Sequence, residues 1–353
     1  MLQKNNILVV KKFISAHNHL REGKLLPLIV KAERFYSYLV AMGNLSTATS
    51  TWKLVLNYVS EIIGTGAKFQ IIPTLMLTKK TTREIISEAA RHGIKVIKFL
   101  PEGTSTNSDE GISFFDLLSS RGRELLAEAE KNEMLTLYHA ELIKSQNGRL
   151  IDERERSLRS LPFLEKVAKL FPDLKIVVEH ANDQATIDFV RSARKNVWAT
   201  LRPQDTMLVY ENVCDQSGKI IHPLNYAKPI AKSDNDRQTV LEAMVGGEDK
   251  FFYGPDCAAH LLTAKIIHKK AGIFLPSPVA IPLVVQIFEK AGALNNNLRK
   301  FTVDIARQVY QLPQISENLI LRREDWVVPD YYHDIPVFMG GETLKWRIVE
   351  LVE

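Results

Sequence analysis

Cysteine is nearly absent from this chain: among 353 residues only Cys214 and Cys257 occur, far apart and without C-x-x-C spacing. That argues against a disulfide framework and fits a reducing compartment. Blocks of like charge are missing too. The net charge of +5 is spread along the chain, so solvated faces are expected rather than a nucleic-acid surface, with at most a weak attraction for anionic substrates. No apolar run approaches the roughly 18 residues of a membrane span, and the N-terminal segment has lysines but no apolar core long enough for a signal peptide. A cytoplasmic protein with no membrane partner is expected. Neither G-x-G-x-x-G nor G-x-x-x-x-G-K-[ST] is present, which counts against an open doubly wound sheet with a phosphate turn after its first strand. No internal repeat, low-complexity tract or Pro/Gly/Ser linker divides the chain. Its 45% hydrophobic and 25% charged residues are ordinary globular composition.

What the sequence does contain is rhythm. Short apolar β-type runs, "KKFISAH", "SYLVAMGN", "FQIIPTLML", "IKVIKFLP", "LTLYHAE", "KIVVEHA", "VWATLRP" and "FFYGPD", alternate with amphipathic helical stretches near Ala48–Ile63, Thr82–His92, Phe114–Lys131, Glu153–Leu170, Gln184–Arg194 and Arg237–Val245. Thr81 to Glu84 has capping-box spacing, and His92-Gly93 sits where that helix should stop. Eight strands in this order predict an α/β fold, a (β/α)8 TIM barrel. It should form a single domain over 1–353, with additional C-terminal helices and a tail from about 279 onward.

In such a barrel, chemistry is built at the C-terminal ends of the strands, and polar residues fall at those ends here. The first run ends in His17 and His19, which share a face if the backbone is extended. The fourth carries Lys98, the fifth His139, the sixth His180, and the eighth leads to Asp256. Singly, each has an ordinary explanation: a snorkelling lysine, hydrogen-bonded core histidines, a helix-capping aspartate. Together they form an N/O donor set suited to zinc or a similar divalent ion. A buried lysine readily loses its proton, and its neutral amine can add carbon dioxide to become a carbamate. A carbamate at Lys98 could bridge two metals, one held by His17, His19 and Asp256 and the other by His139 and His180. Hydroxide between them would be a nucleophile at neutral pH.

These residues, with the ordered set "HNHLREG", "MGNL", "IKFLPEGTSTNSDEG", "YHAE", "VVEHAND", "KPIAK", "YGPDCAAH" and "VFMGGETLKW", resemble the amidohydrolase superfamily, and within it the dihydroorotases of the stand-alone bacterial type. The resemblance implies a metal-dependent cyclic amidohydrolase of pyrimidine biosynthesis. It would reversibly close N-carbamoyl-L-aspartate to L-dihydroorotate with loss of water, using two divalent ions, most typically zinc, and carbon dioxide held as the Lys98 carbamate. It implies His17, His19, Lys98, His139, His180 and Asp256 as metal ligands, with Asp256 also carrying the proton. It implies Arg21, Asn44 and His260 on the substrate carboxylate, and Ser105 and Thr106 on the loop Pro101–Gly111 that closes over the substrate. Lys228, Pro276 and Ser277 carry over only loosely. Family members commonly form homodimers. The chain departs from the family pattern at Gly43, Ser105, Pro255, Cys257 and Ala259, none of them a ligand position. Two other readings stay open: another cyclic amidase, such as a hydantoinase or allantoinase, and a catalytically inactive scaffold that binds a protein partner.

Overall fold

Each of the eight apolar runs is a strand in the computed structural model, which describes residues 2–4 and 6–352. The barrel strands are β1 (Ile14–His19), β2 (Tyr38–Ala41), β3 (Gln70–Met76), β4 (Val96–Phe99), β5 (Leu135–His139), β6 (Lys175–Glu179), β7 (Val197–Leu201) and β8 (Phe251–Tyr253). Neighbours pair in parallel in chain order. The segment after β8 then closes the ring, because Cys257 and Ala258 pair in parallel with Asn18 and His19 of β1. Strands covered on both faces read as continuous apolar runs, and β4, β5 and β8 are buried at every position.

Inside the ring, Ile14, Val40, Ile72, Val96, Leu135, Val177 and Phe252 pack on Val303, Ile305, Ala306 and Val309. The strand residues of this cluster lie largely near strand starts, so the helical segment 296–309 plugs the N-terminal end of the barrel. A larger apolar layer lies between the strands and the outer helices.

The outer helices follow local signals. Thr51 caps Trp52–Gly64, Asp183 caps Gln184–Ser192, and a Ser233–Asp236 capping box opens Asp234–Val245. The helix expected over Thr82–His92, with Thr81 in its capping box, is Arg83–Arg91 and is capped by Thr82, since the Thr81 hydroxyl instead accepts from the Thr78 N–H at 2.9 Å. The single helix expected over Phe114–Lys131 is two, Phe114–Leu118 and Ser120–Lys131. Ser119, in extended conformation, ends one and caps the next. Beyond the barrel, Ser277–Lys290 is a long helix, but the tail becomes sheet: Asn318–Val327 pairs antiparallel with both Thr343–Val352 and Ile7–Lys11. The two ends of the chain therefore meet in one antiparallel sheet, anchored by buried Leu319, Leu321, Leu344 and Trp346.

Candidate metal centre

His17 and His19 project from the end of β1 two positions apart, as an extended backbone requires. The Asp256 N–H donates to the His17 carbonyl at 3.1 Å, which seats the β8 loop against β1. Asp256 Oδ1 then lies 3.4 Å from His17 Nε2 and 3.3 Å from His19 Nε2. From His17 the rings continue in a row, with centroids 5.2 Å apart to His180 and 4.5 Å from there to His139. One donor atom from each of His17, His180 and Asp256 lies within 4.8 Å of the others. Lys98, His139 and Asn44 line the same cavity, with Arg21, Ser105 and Lys228 at its sides.

Several of these positions are held in uncommon backbone conformations. His180 and Asp256 have φ of 44° and 50°, and Arg21 has 64°, a left-handed region that non-glycine residues avoid unless the surroundings enforce it. The His180 N–H is tied to Thr200 Oγ1 at 2.8 Å. Gly254 packs so tightly on Thr200 that a Cβ there would collide with it. Gly43 leaves space in the same way: a Cβ would overlap the hydroxyl of Thr49, which donates instead to the Thr74 carbonyl at 2.8 Å.

Two carboxylates that the sequence did not single out sit behind the histidines. Glu141 Oε2 is 2.6 Å from His139 Nε2, and Glu179 Oε1 is 2.9 Å from His17 Nδ1. The Glu141 contact is a hydrogen bond to His139, of the kind that orients a metal-binding imidazole, and Glu179 places a carboxylate against the His17 ring edge that faces away from Asp256. The only hint in the sequence was a glutamate beside each histidine, in "YHAE" and "VVEHA". Glu179 also meets the Lys98 amine.

Burial holds the imidazoles of His17 and His180 well below their ordinary value, and those of His19 and His139 below it. All four are therefore neutral near pH 7, with a lone pair to give. Burial also pushes Lys98 down to about 7 against the opposing pull of Asp256, within reach of the free amine. Burial alone would raise Asp256, but the surrounding imidazoles of His17, His19 and His180 outweigh it and keep the carboxyl well below the usual range. His180 Nδ1 is buried with no hydrogen-bond partner among the described residues, so no protein contact holds that nitrogen. Neutral imidazoles, an ionised carboxylate and a readily deprotonated amine fit a divalent cation.

Arg21 stands at the rim of this cluster. Its Nε donates to the Ala259 carbonyl at 2.8 Å, and Nη2 is 3.1 Å from His260 Nε2. His260 also faces the Ala271 carbonyl and borders a neighbouring cavity. Asn44 reaches the loop 101–111, donating to the Thr106 carbonyl at 2.9 Å. Ser105 lines the central cavity, whereas Thr106 contributes its main chain. Lys228 lies 3.5 Å from Glu153 Oε1. Pro276 and Ser277 do not join the group. Ser277 is fully buried, its hydroxyl donating to the Ala32 carbonyl at 2.7 Å and its N–H to Glu33 Oε2 at 3.1 Å, so it stitches two outer helices together.

A (β/α)8 barrel with histidines on its first and fifth strands and just past its sixth, a lysine on its fourth and an aspartate after its eighth has the architecture of a metal-dependent amidohydrolase. No family-level sequence model matches the chain. The dihydroorotase of Helicobacter acinonychis (strain Sheeba) is 32% identical over 345 residues, covering 96% of this chain and 97% of that protein. The mitochondrial dihydroorotase of Oryza sativa subsp. japonica is 32% identical over 345 residues, covering 94% and 81%. Among solved structures, Campylobacter jejuni dihydroorotase superposes with a TM-score of 0.87 at 27% identity over 99% of both chains. An L-hydantoinase from Arthrobacter aurescens shares the fold, with a TM-score of 0.76 at 15% identity, over 98% of this chain and 83% of that one. The chain belongs to the dihydroorotase family of the amidohydrolase superfamily.

Proposed function

We propose that this chain, a dihydroorotase by family, interconverts N-carbamoyl-L-aspartate and L-dihydroorotate with two divalent cations, most readily zinc. His17, His19 and Asp256 would hold one cation, His139 and His180 the other, and Lys98 as a carbamate would join them. When bound, the cations supply Lewis-acid polarisation of the reacting carbonyl and water acidic enough to attack near neutral pH. The protein's own residues do the rest. Asp256 takes the proton from the attacking water in the hydrolytic direction and delivers it to the ring nitrogen as the C–N bond breaks. In the closing direction it runs the same transfers backward. Arg21 presents a planar fork to the substrate carboxylate, with Asn44 and His260 adding directed hydrogen bonds. Ser105 and Thr106 cover the site from the loop, and Lys228 adds positive charge at the wall.

The observation that carries this reading is the meeting of His17, His19 and Asp256 Oδ1 within 3.4 Å of one another, with Arg21 lining the same cavity. A hydantoinase would need the first group but not the second. Cys214 and Cys257 are both free and buried, which supports a reducing compartment such as the cytoplasm; among the described residues no helix is long and apolar enough to cross a membrane. The test is a panel of dihydroorotate, hydantoin and allantoin offered to purified protein of measured metal content. Turnover confined to dihydroorotate is expected. Turnover of hydantoin or allantoin alone would move the chain to another cyclic amidase, and metal-free, inactive protein would make it a scaffold.

A further inference from the structure

Arg202, just past the end of β7, is 1% exposed and has no place yet in the chemistry. Its whole fork is engaged. Nε and Nη2 donate to the two oxygens of Asp205 at 2.6 and 2.8 Å. Nη1 donates to the Lys228 carbonyl at 3.1 Å and Nη2 to the Pro229 carbonyl at 2.9 Å. The remaining bond runs from Nη1 to Asp256 Oδ2 at 3.1 Å.

A buried guanidinium is tolerated only when its donors are paired, and Asp205 with two carbonyls would nearly suffice for a loop staple. The bond to Asp256 is what a staple does not need. It falls on Oδ2, while Oδ1 faces His17 and His19, so the two oxygens have separate partners on opposite sides. Rotating the carboxylate would break a charge-assisted hydrogen bond to a donor that cannot follow, because Asp205 and the two carbonyls fix the guanidinium plane. We infer that Arg202, clamped by Asp205, is a positioning residue that sets the rotation of the Asp256 carboxylate. The inference rests on Asp256 carrying the proton in the reaction assigned above. Proton transfer is sensitive to misplacement by a fraction of an ångström, so the effect belongs in turnover rather than in substrate binding.

The test compares wild type with Arg202→Lys and with the double variant Arg202→Met/Asp205→Leu, which removes the ion pair without stranding either charge. Thermal unfolding, bound metal by elemental analysis, and kcat and KM for dihydroorotate per bound metal are measured together. The folded double variant should keep its metal and its KM while kcat falls by roughly tenfold or more. Arg202→Lys keeps the charge but not the fork, and should recover part of that loss. It also carries the test alone if the double variant does not fold: several-fold lower kcat at unchanged KM and metal content is expected. Wild-type kcat in either folded variant overturns the role, and so does a loss that merely follows metal content or folded fraction. Turnover by the wild type is read in the same series, so a failure of the reaction assignment is separately visible.

Discussion

The two ends of the barrel are made by the same strands and have opposite characters. At the start of the strands, Ile14, Val96, Leu135 and Phe252 meet the plug residues Val303, Ile305 and Val309 in an apolar core. At the other end, a few residues along, stand His17, Lys98, His139, His180 and Asp256, all buried and all polar. The first end gains stability by removing apolar surface from water. The second sacrifices stability: desolvated imidazoles and an amine, a His180 Nδ1 without a hydrogen-bond partner among the described residues, and positive φ at His180 and Asp256. One strand thus separates stability from chemistry along its length, and substitutions at the two ends should fail in different ways.

The largest effect is expected at Lys98. Guanidinium stays charged and cannot form a carbamate, so Lys98→Arg should lose nearly all turnover and at least part of its metal, measured by elemental analysis. Full metal content with wild-type turnover would make Lys98 a structural lysine. Next comes Asp256→Asn, which keeps an oxygen but removes the base. Its turnover should fall by about a hundredfold or more, the usual scale for lost acid–base catalysis, and steady-state kinetics reads this directly. Arg21→Lys gives up the planar fork and should weaken substrate binding by about 1.5–3 kcal/mol at unchanged metal content. An unaltered KM would remove Arg21 from the carboxylate site. The smallest effect on activity belongs to the plug. Ile305→Ala should cost about 2–5 kcal/mol of stability through a cavity, seen as earlier denaturant unfolding, while kcat and KM of the folded protein stay unchanged.

The same contrast explains what could be read from the sequence. Parallel strands buried on both faces appear as unbroken apolar runs, so all eight were visible, and polar residues at their ends stood out. Glu141 and Glu179 did not, because a glutamate near a strand end looks like an ordinary solvent-facing residue until the fold brings it behind a histidine. Arg202 was hidden for the same reason, since its partners Lys228, Pro229 and Asp256 lie on other loops. C-terminal helices were expected from about 279 onward, and the helix there, Ser277–Lys290, is buried along most of its length, so its bounds carry no one-sided stripe of the kind that marks a surface helix. The strand Asn318–Val327 pairs with Ile7–Lys11 some three hundred positions away, a long-range contact that local pattern does not encode. Ser119 split a helix because one serine could serve as the end of one turn and the cap of the next.

That the mouth of this barrel is a metal-dependent hydrolytic centre can be checked by following the absorbance change of dihydroorotate ring opening before and after chelation, and again after zinc and bicarbonate are returned. Activity that disappears with the metal and recovers with zinc, faster when bicarbonate is present, is the expected result. Dihydroorotate turnover indifferent to thorough metal removal would contradict it.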